Sequence, residues 1–200
     1  QGGTNPIGDI DEDGINEIIV CGGGYFQILS YDIGTSLTLS SNNAIYAWDW
    51  DGTTLTQLDM YNGSGVDATW AAIACDYDED GDVELVIGTE PASGPLERHV
   101  TALAWDNIND KFVEEAFYLF TGYETKESTV GYGDTDNDGH VEIIVTLTYG
   151  SVSNTGTWVL NWNTISGEWE AEVICTNYPY STPLNIAVGD VNGNGIPEIA

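Results

Sequence analysis

The 200-residue sequence carries 33 Asp and Glu against 3 Lys and Arg, a formal net charge of −30. That balance leaves nothing to neutralise phosphates and argues against nucleic acid as a partner, and no run of 18 apolar residues offers a membrane span. A 42% apolar share with 24 Gly, 7 Trp and 11 Tyr fits a folded chain rich in strands and turns rather than a disordered one.

In chain order, the first feature is GDIDEDGINEIIV, Gly8 to Val20, in which Asp9, Asp11 and Asp13 alternate ahead of Gly14 and Glu17. Residues 22–43, GGGYFQILSYDIGTSLTLSSNN, follow. They read either as a contact surface displaying Tyr25, Phe26 and Tyr31 or as an extra hairpin covering an edge. IYAWDWDGTTLTQ, with Trp48, comes next. The acidic stretch then returns as CDYDEDGDVELVIG from Cys75, as GDTDNDGHVEIIV from Gly133 and as GDVNGNGIPEIA from Gly189. Between these copies ALAWDNINDKFVEE and VLNWNTISGEWEAE place Trp105 and Trp162 in phase with Trp48.

The first aspartates, Asp9, Asp76, Asp134 and Asp190, are spaced by 67, 58 and 56 residues, and the extra length of the first unit lies between Cys21 and Asn43. The third unit shows the internal order most clearly. Residues 128–133 alternate and read as strand A. The mostly apolar 142–148 read as strand B, buried on both faces. Residues 157–162 read as strand C, and 168–175 as strand D, with Trp169, Ala171, Val173 and Cys175 on one face. Four antiparallel strands repeated at this period predict an all-β fold, a β-propeller of four-stranded antiparallel blades. A repeated sandwich needs about 100 residues per unit, and a WD-type blade about 40–45. The expected organisation is one propeller domain over 1–200, with blade units at approximately 4–68, 69–127 and 128–184 and the start of a fourth at 185–200. Propellers have about four to eight blades, so the sequence is expected to be a segment of a longer chain, with completion of a ring between chains as the alternative. The three cysteines, Cys21, Cys75 and Cys175, cannot all pair within the chain and are expected to be small buried strand residues.

The loops read D-x-D-x-D-G-x-x-E three times and D-x-N-x-N-G-x-x-E once. Ca²⁺ takes about six to eight oxygens. Alternate side chains at positions 1, 3 and 5 can face one centre, glycine at 6 permits the sharp turn, the carbonyl of position 7 can join, and the glutamate at 9 closes the set. The candidate ligands are Asp9, Asp11, Asp13, the Ile15 carbonyl and Glu17; Asp76, Asp78, Asp80, the Asp82 carbonyl and Glu84; Asp134, Asp136, Asp138, the His140 carbonyl and Glu142; and Asp190, Asn192, Asn194, the Ile196 carbonyl and Glu198. An EF-hand needs its acid at position 12; here that position is Val20, Ile87 or Val145, inside a strand. An Asp/Gly hairpin that binds nothing explains one copy, but four in phase, holding 17 of the 33 acids and no Lys or Arg, argue for cations. Three strong Ca²⁺ sites are expected, with the less charged fourth weaker.

With these loops and the EIIV or ELVIG strand that follows, the sequence resembles the FG-GAP/VCBS repeat family, which includes the β-propeller of integrin α subunits. The resemblance implies Ca²⁺ held in the loop joining strands A and B, on one face of a propeller, by the residues just named. The last loop departs from the pattern with its two Asn. CGGG (21–24) and IGTEP (87–91) are only loosely similar to the family's FG…GAP signature, which points to the VCBS-like, microbial side of the family.

These readings predict a secreted or cell-surface Ca²⁺-binding propeller that serves adhesion, recognition or structural assembly, with an extracellular protein or glycan, or neighbouring copies in a filament, as partner. The alternative is an accessory carbohydrate-binding propeller of a polysaccharide-degrading enzyme, although Trp48, Trp105 and Trp162 recur at one position and suit packing between blades. No catalytic motif is present: G-x-S-x-G, H-E-x-x-H and phosphate-binding glycine loops are missing, and the metal loops account for most of the paired carboxylates. The expectation is a protein that is not an enzyme.

Overall fold

The computed structural model describes residues 7–21, 24–29, 34–39, 44–51, 54–62, 66–91, 99–121, 127–148, 155–176 and 186–200. Among them the secondary structure is all β, without a helix. Strands β1 (Ile7–Gly8), β2 (Glu17–Cys21), β5 (Ala44–Trp50) and β6 (Leu55–Asn62) form one antiparallel sheet, and β3 (Gly24–Leu29) with β4 (Gly34–Leu39), between β2 and β5 in the chain, form a separate hairpin. The second sheet is β7 (Val66–Cys75), β8 (Glu84–Pro91), β9 (Val100–Asp106) and β10 (Lys111–Tyr118). The third is β11 (Glu127–Gly133), β12 (Glu142–Thr148), β13 (Gly156–Asn163) and β14 (Glu168–Thr176), and β15 (Val188–Gly189) pairs with β16 (Glu198–Ile199). In each four-stranded sheet spatial order follows chain order, and the four strands expected of the third unit all form.

The core lies between the sheets. In β8, Leu85 and Ile87 face the first sheet, where they join Ile19, Ile45 and Ala47. Val86 faces the third, with Val130, Ile143, Val145 and Leu160. This is why ELVIG carries no polar alternation: the strand has an apolar neighbour on both sides. First strands stand next to one another. β7 packs on β11 and β11 on β15, while a Cβ on Gly8 of β1 would lie 3.0 Å from Ala74 of β7. On the outer side β6 packs on β10, where the Phe112 amide donates to the Asp59 carboxylate at 2.8 Å.

Two expectations are corrected. Of the apolar face proposed for 168–175, Trp169 alone is buried; Ala171, Val173 and Cys175 are exposed. β14 is the outermost strand of its sheet and is exposed on both faces beyond Trp169; a bulge at Ile174, between the pairs Trp158↔Val173 and Thr157↔Cys175, takes Cys175 alone out of the alternation. The cysteines are not uniformly interior: Cys75 is buried, Cys21 half-buried and Cys175 exposed, and none forms a disulfide. Residues 22–43 contain the hairpin β3–β4. Tyr25 and Phe26 lie on β3, and Tyr31 lies outside the described residues.

Candidate metal centre

All four acidic loops link the first strand of a unit to its second and share one backbone course. Position 4 is left-handed in each: φ is 61° at Glu12, 63° at Glu79, 65° at Asn137 and 77° at Gly193. The glycines at position 6, Gly14, Gly81, Gly139 and Gly195, have φ between 84° and 103°, a region a side chain would strain. The position-5 amide donates to the position-3 side chain, at 3.3 Å for Asp13 to Asp11, 3.2 Å for Asp80 to Asp78, 3.1 Å for Asp138 to Asp136 and 3.1 Å for Asn194 to Asn192. The position-7 amides of Ile15, Asp82, His140 and Ile196 donate to position 5 at 2.7–2.9 Å. These turns fold the alternating side chains toward one another.

The position-9 glutamates lie deepest. Glu17, Glu84 and Glu142 are 1%, 2% and 3% exposed, and each accepts the position-2 amide, from Ile10 at 2.7 Å, Tyr77 at 3.4 Å and Thr135 at 2.6 Å. Carboxylate oxygens of Asp9, Asp11 and Asp13 lie within 4.8 Å of one another, as do those of Asp76, Asp78 and Glu84 and those of Asp134, Asp136 and Glu142. Asp9 Oδ1, Glu17 Oε1 and Asp76 Oδ1 are buried without a hydrogen-bond partner. A buried anionic oxygen without a partner is costly. Burial pushes the Glu17 carboxyl up to about 7 and the Glu84 carboxyl up to about 8, with neighbouring aspartates adding to both. A hard divalent cation fits this donor set: it supplies the missing charge and takes the free oxygens.

The fourth loop differs. Asp190 is exposed, and backbone amides, Gly195 first, hold its carboxyl below the usual range. The Asn192 side chain donates from Nδ2 to Glu198, which is half-buried and also accepts the Val191 backbone amide at 3.0 Å. The third loop likewise donates backbone amides to Asp134, from Asn137 at 2.6 Å and Gly139 at 3.0 Å, so what sets the fourth apart is its two Asn and the exposure of Asp190.

Sequence reasoning missed the contacts between loops. Position 4 of one loop meets position 7 of the next: Glu12 reaches Asp82, which raises its carboxyl pKa, and Glu79 hydrogen-bonds His140 Nδ1. A cleft of about 200 Å³ between the second and third loops is lined by Tyr77, Glu79, His140 and Trp162 among others. The Glu79 contact raises the His140 pKa above its ordinary 6.5. In metal-free protein, the His140 ring protons are expected to titrate above that value by NMR and to return toward it in Glu79→Gln; an unchanged midpoint would contradict the pairing. Of the recurrent tryptophans, Trp162 makes a contact between units, with Tyr77 at 5.0 Å between ring centres, as well as one with Trp169 of its own sheet at 5.8 Å; Trp105 stands edge-on to Phe112 of its own sheet, and Trp48 packs with Val20, Ala44 and Tyr46 of its own sheet.

Residues 134–200, which carry the third and fourth loops, match a family model described as an FG-GAP-like repeat. No curated protein matches the chain.

Proposed function

From an FG-GAP-like repeat at residues 134–200, we propose that the chain is part of an extracellular or cell-surface β-propeller whose blades are clamped by Ca²⁺ and which serves as a binding, adhesion or assembly module without catalytic activity. The observation that carries this reading is the set of buried position-9 glutamates, Glu17, Glu84 and Glu142, each at the base of an acidic loop of identical backbone course. Asp9, Asp11, Asp13 and Glu17 would hold one ion; Asp76, Asp78, Asp80 and Glu84 a second; Asp134, Asp136, Asp138 and Glu142 a third. Asp190, Asn192, Asn194 and Glu198 would hold a weaker fourth. Carbonyls of Ile15, Asp82, His140 and Ile196 complete the sets. Bound Ca²⁺ supplies positive charge and multiple oxygen coordination.

Successive sheets that pack face to face, with their first strands side by side, support the propeller reading. An extracellular setting suits sites of modest affinity, because extracellular Ca²⁺ saturates them. Strands alternate direction, so the acidic loops share one end of the sheets with the β9–β10 and β13–β14 turns, and recognition is assigned to the opposite end. The glycan-binding alternative is weakened by the ring contacts that Trp105 makes with Phe112 and Trp162 makes with Tyr77 and Trp169. A non-catalytic role accords with the two histidines: His99 is fully buried and accepts the Phe120 amide, and His140 pairs with Glu79.

Calorimetric titration of chelator-treated protein with Ca²⁺ tests the proposal. The wild type should bind several ions, and Asp134→Ala with Asp138→Ala should remove one. Unchanged stoichiometry in the double variant would overturn the assignment of that loop.

A further inference from the structure

Among the described residues, the second loop has a feature that the first and third lack. Carboxylate oxygens of Asp78, Asp80 and Glu115 lie within 4.8 Å of one another, and Asp78 also belongs to the group with Asp76 and Glu84. The groups at the first and third loops draw on loop residues alone. Glu115 comes from β10, far along the chain, and its approach has a local cause. Glu114 pairs with Leu103 and Ala116 with Ala102, so Glu115 is the extra residue of a β-bulge, and bulges re-aim a side chain. Its neighbour Glu114 serves a different contact, accepting the Tyr61 hydroxyl of β6.

A second observation points to a ligand here. Tyr77 is 2% exposed, its hydroxyl lies near Glu115, Asp78 and Glu84, and that hydroxyl makes no hydrogen bond of normal geometry. In the same loop Asp76 Oδ1 is buried without a hydrogen-bond partner, and an orphaned carboxylate oxygen where acidic groups converge marks a site whose charge is incomplete. Lys111 is the only Lys or Arg among the described residues, and it lies by Asp106.

We propose that Glu115 is a cation ligand at the second loop, so that this site is closed by the outer strand β10 as well as by the loop. The ion then ties the innermost connection of the sheet to its outermost strand, and the bulge holds the carboxylate in place. The inference rests on the cation reading of the loops, and its test separates the two.

Terbium, an oxygen-seeking luminescent probe for Ca²⁺ sites, would be titrated into metal-free protein with excitation of the aromatic side chains, because Tyr77 contacts Trp162 and Trp169 at 5.0 and 5.1 Å and serves as an antenna. The wild type should show sensitised emission that Ca²⁺ displaces. Glu115→Gln should weaken the sensitised site at least about tenfold, the scale of losses at metal-supporting residues, while Glu115→Asp recovers part of the loss and Glu114→Gln binds as the wild type. Melting of Glu115→Gln in chelator should match the wild type, which separates lost binding from lost folding. If Glu115→Gln titrates as the wild type while Asp78→Asn is weakened, the role of Glu115 is overturned and the loop reading stands. If the wild type binds neither terbium nor Ca²⁺, both fall.

Discussion

Adding Ca²⁺ to chelator-treated protein is expected to raise its melting temperature, and the gain should grow from about pH 5 to about pH 8. The cause is the buried glutamates. Their unfolded value is 4.5, whereas in the metal-free fold Glu17 stands at about 7 and Glu84 at about 8, chiefly through burial. Between those values the folded state holds protons that the unfolded chain has released. Metal-free stability is therefore highest below the unfolded value and falls as pH rises through the folded ones. A cation removes the penalty by neutralising the ionised carboxylates, so its binding releases protons and strengthens with pH. A ligand of the native state at about one hundred times its dissociation constant stabilises by about 2.7 kcal/mol per site, which for a chain of this length is roughly 5–10 °C. Scanning calorimetry at three pH values with and without Ca²⁺ checks this. A gain that does not vary with pH would refute the role of the glutamates, and no gain at any pH would refute the cation reading itself.

Replacement of Gly88 is expected to be the most damaging single change at the boundary of the second and third sheets. A Cβ there would lie 2.5 Å from the carbonyl oxygen of Ser128, 3.0 Å from its carbon and 3.3 Å from Val130 Cγ1. The obstacle is backbone, and it is fixed: the Ser128 hydroxyl accepts the Thr89 amide at 2.6 Å and lies 2.8 Å from the Thr89 carbonyl. The sheets can accept a side chain only by separating, which opens the core that Val86 shares with Val130, Ile143 and Val145. Gly88→Ala should cost about 3 kcal/mol, the upper end for overpacking, and Gly88→Val more. Gly167→Ala is the control: nothing lies within 4 Å of its Cβ position, and only its φ of 67° opposes a side chain, worth about 1–2 kcal/mol. Urea denaturation of the variants tests the difference. Equal losses at the two positions would mean that the sheets separate easily.

The sequence by itself determined the period, the four antiparallel strands of a unit and the acidic loop between the first two. Each of these is local chemistry: β-branched and aromatic runs favour a pleated strand, and Asp, Asn and Gly fix a turn through their own backbone. It also placed the ligand candidates, because their spacing along the chain is their spacing in the loop. Tertiary structure decided what depends on a second segment. The depth of Glu84 comes from sheets packed on both sides of its strand, and Glu17 and Glu142 sit on strands that pack against the second sheet. The pairing of Glu79 with His140 requires two loops to stand side by side. The exposure of Ala171 and Val173 follows from the place of β14 at the outer edge of its sheet, and the approach of Glu115 to Asp78 turns on a bulge. A bulge adds one residue to one strand and reverses which side chains face the core. The alternation of a single strand cannot reveal that inserted residue; only the register against its neighbour does.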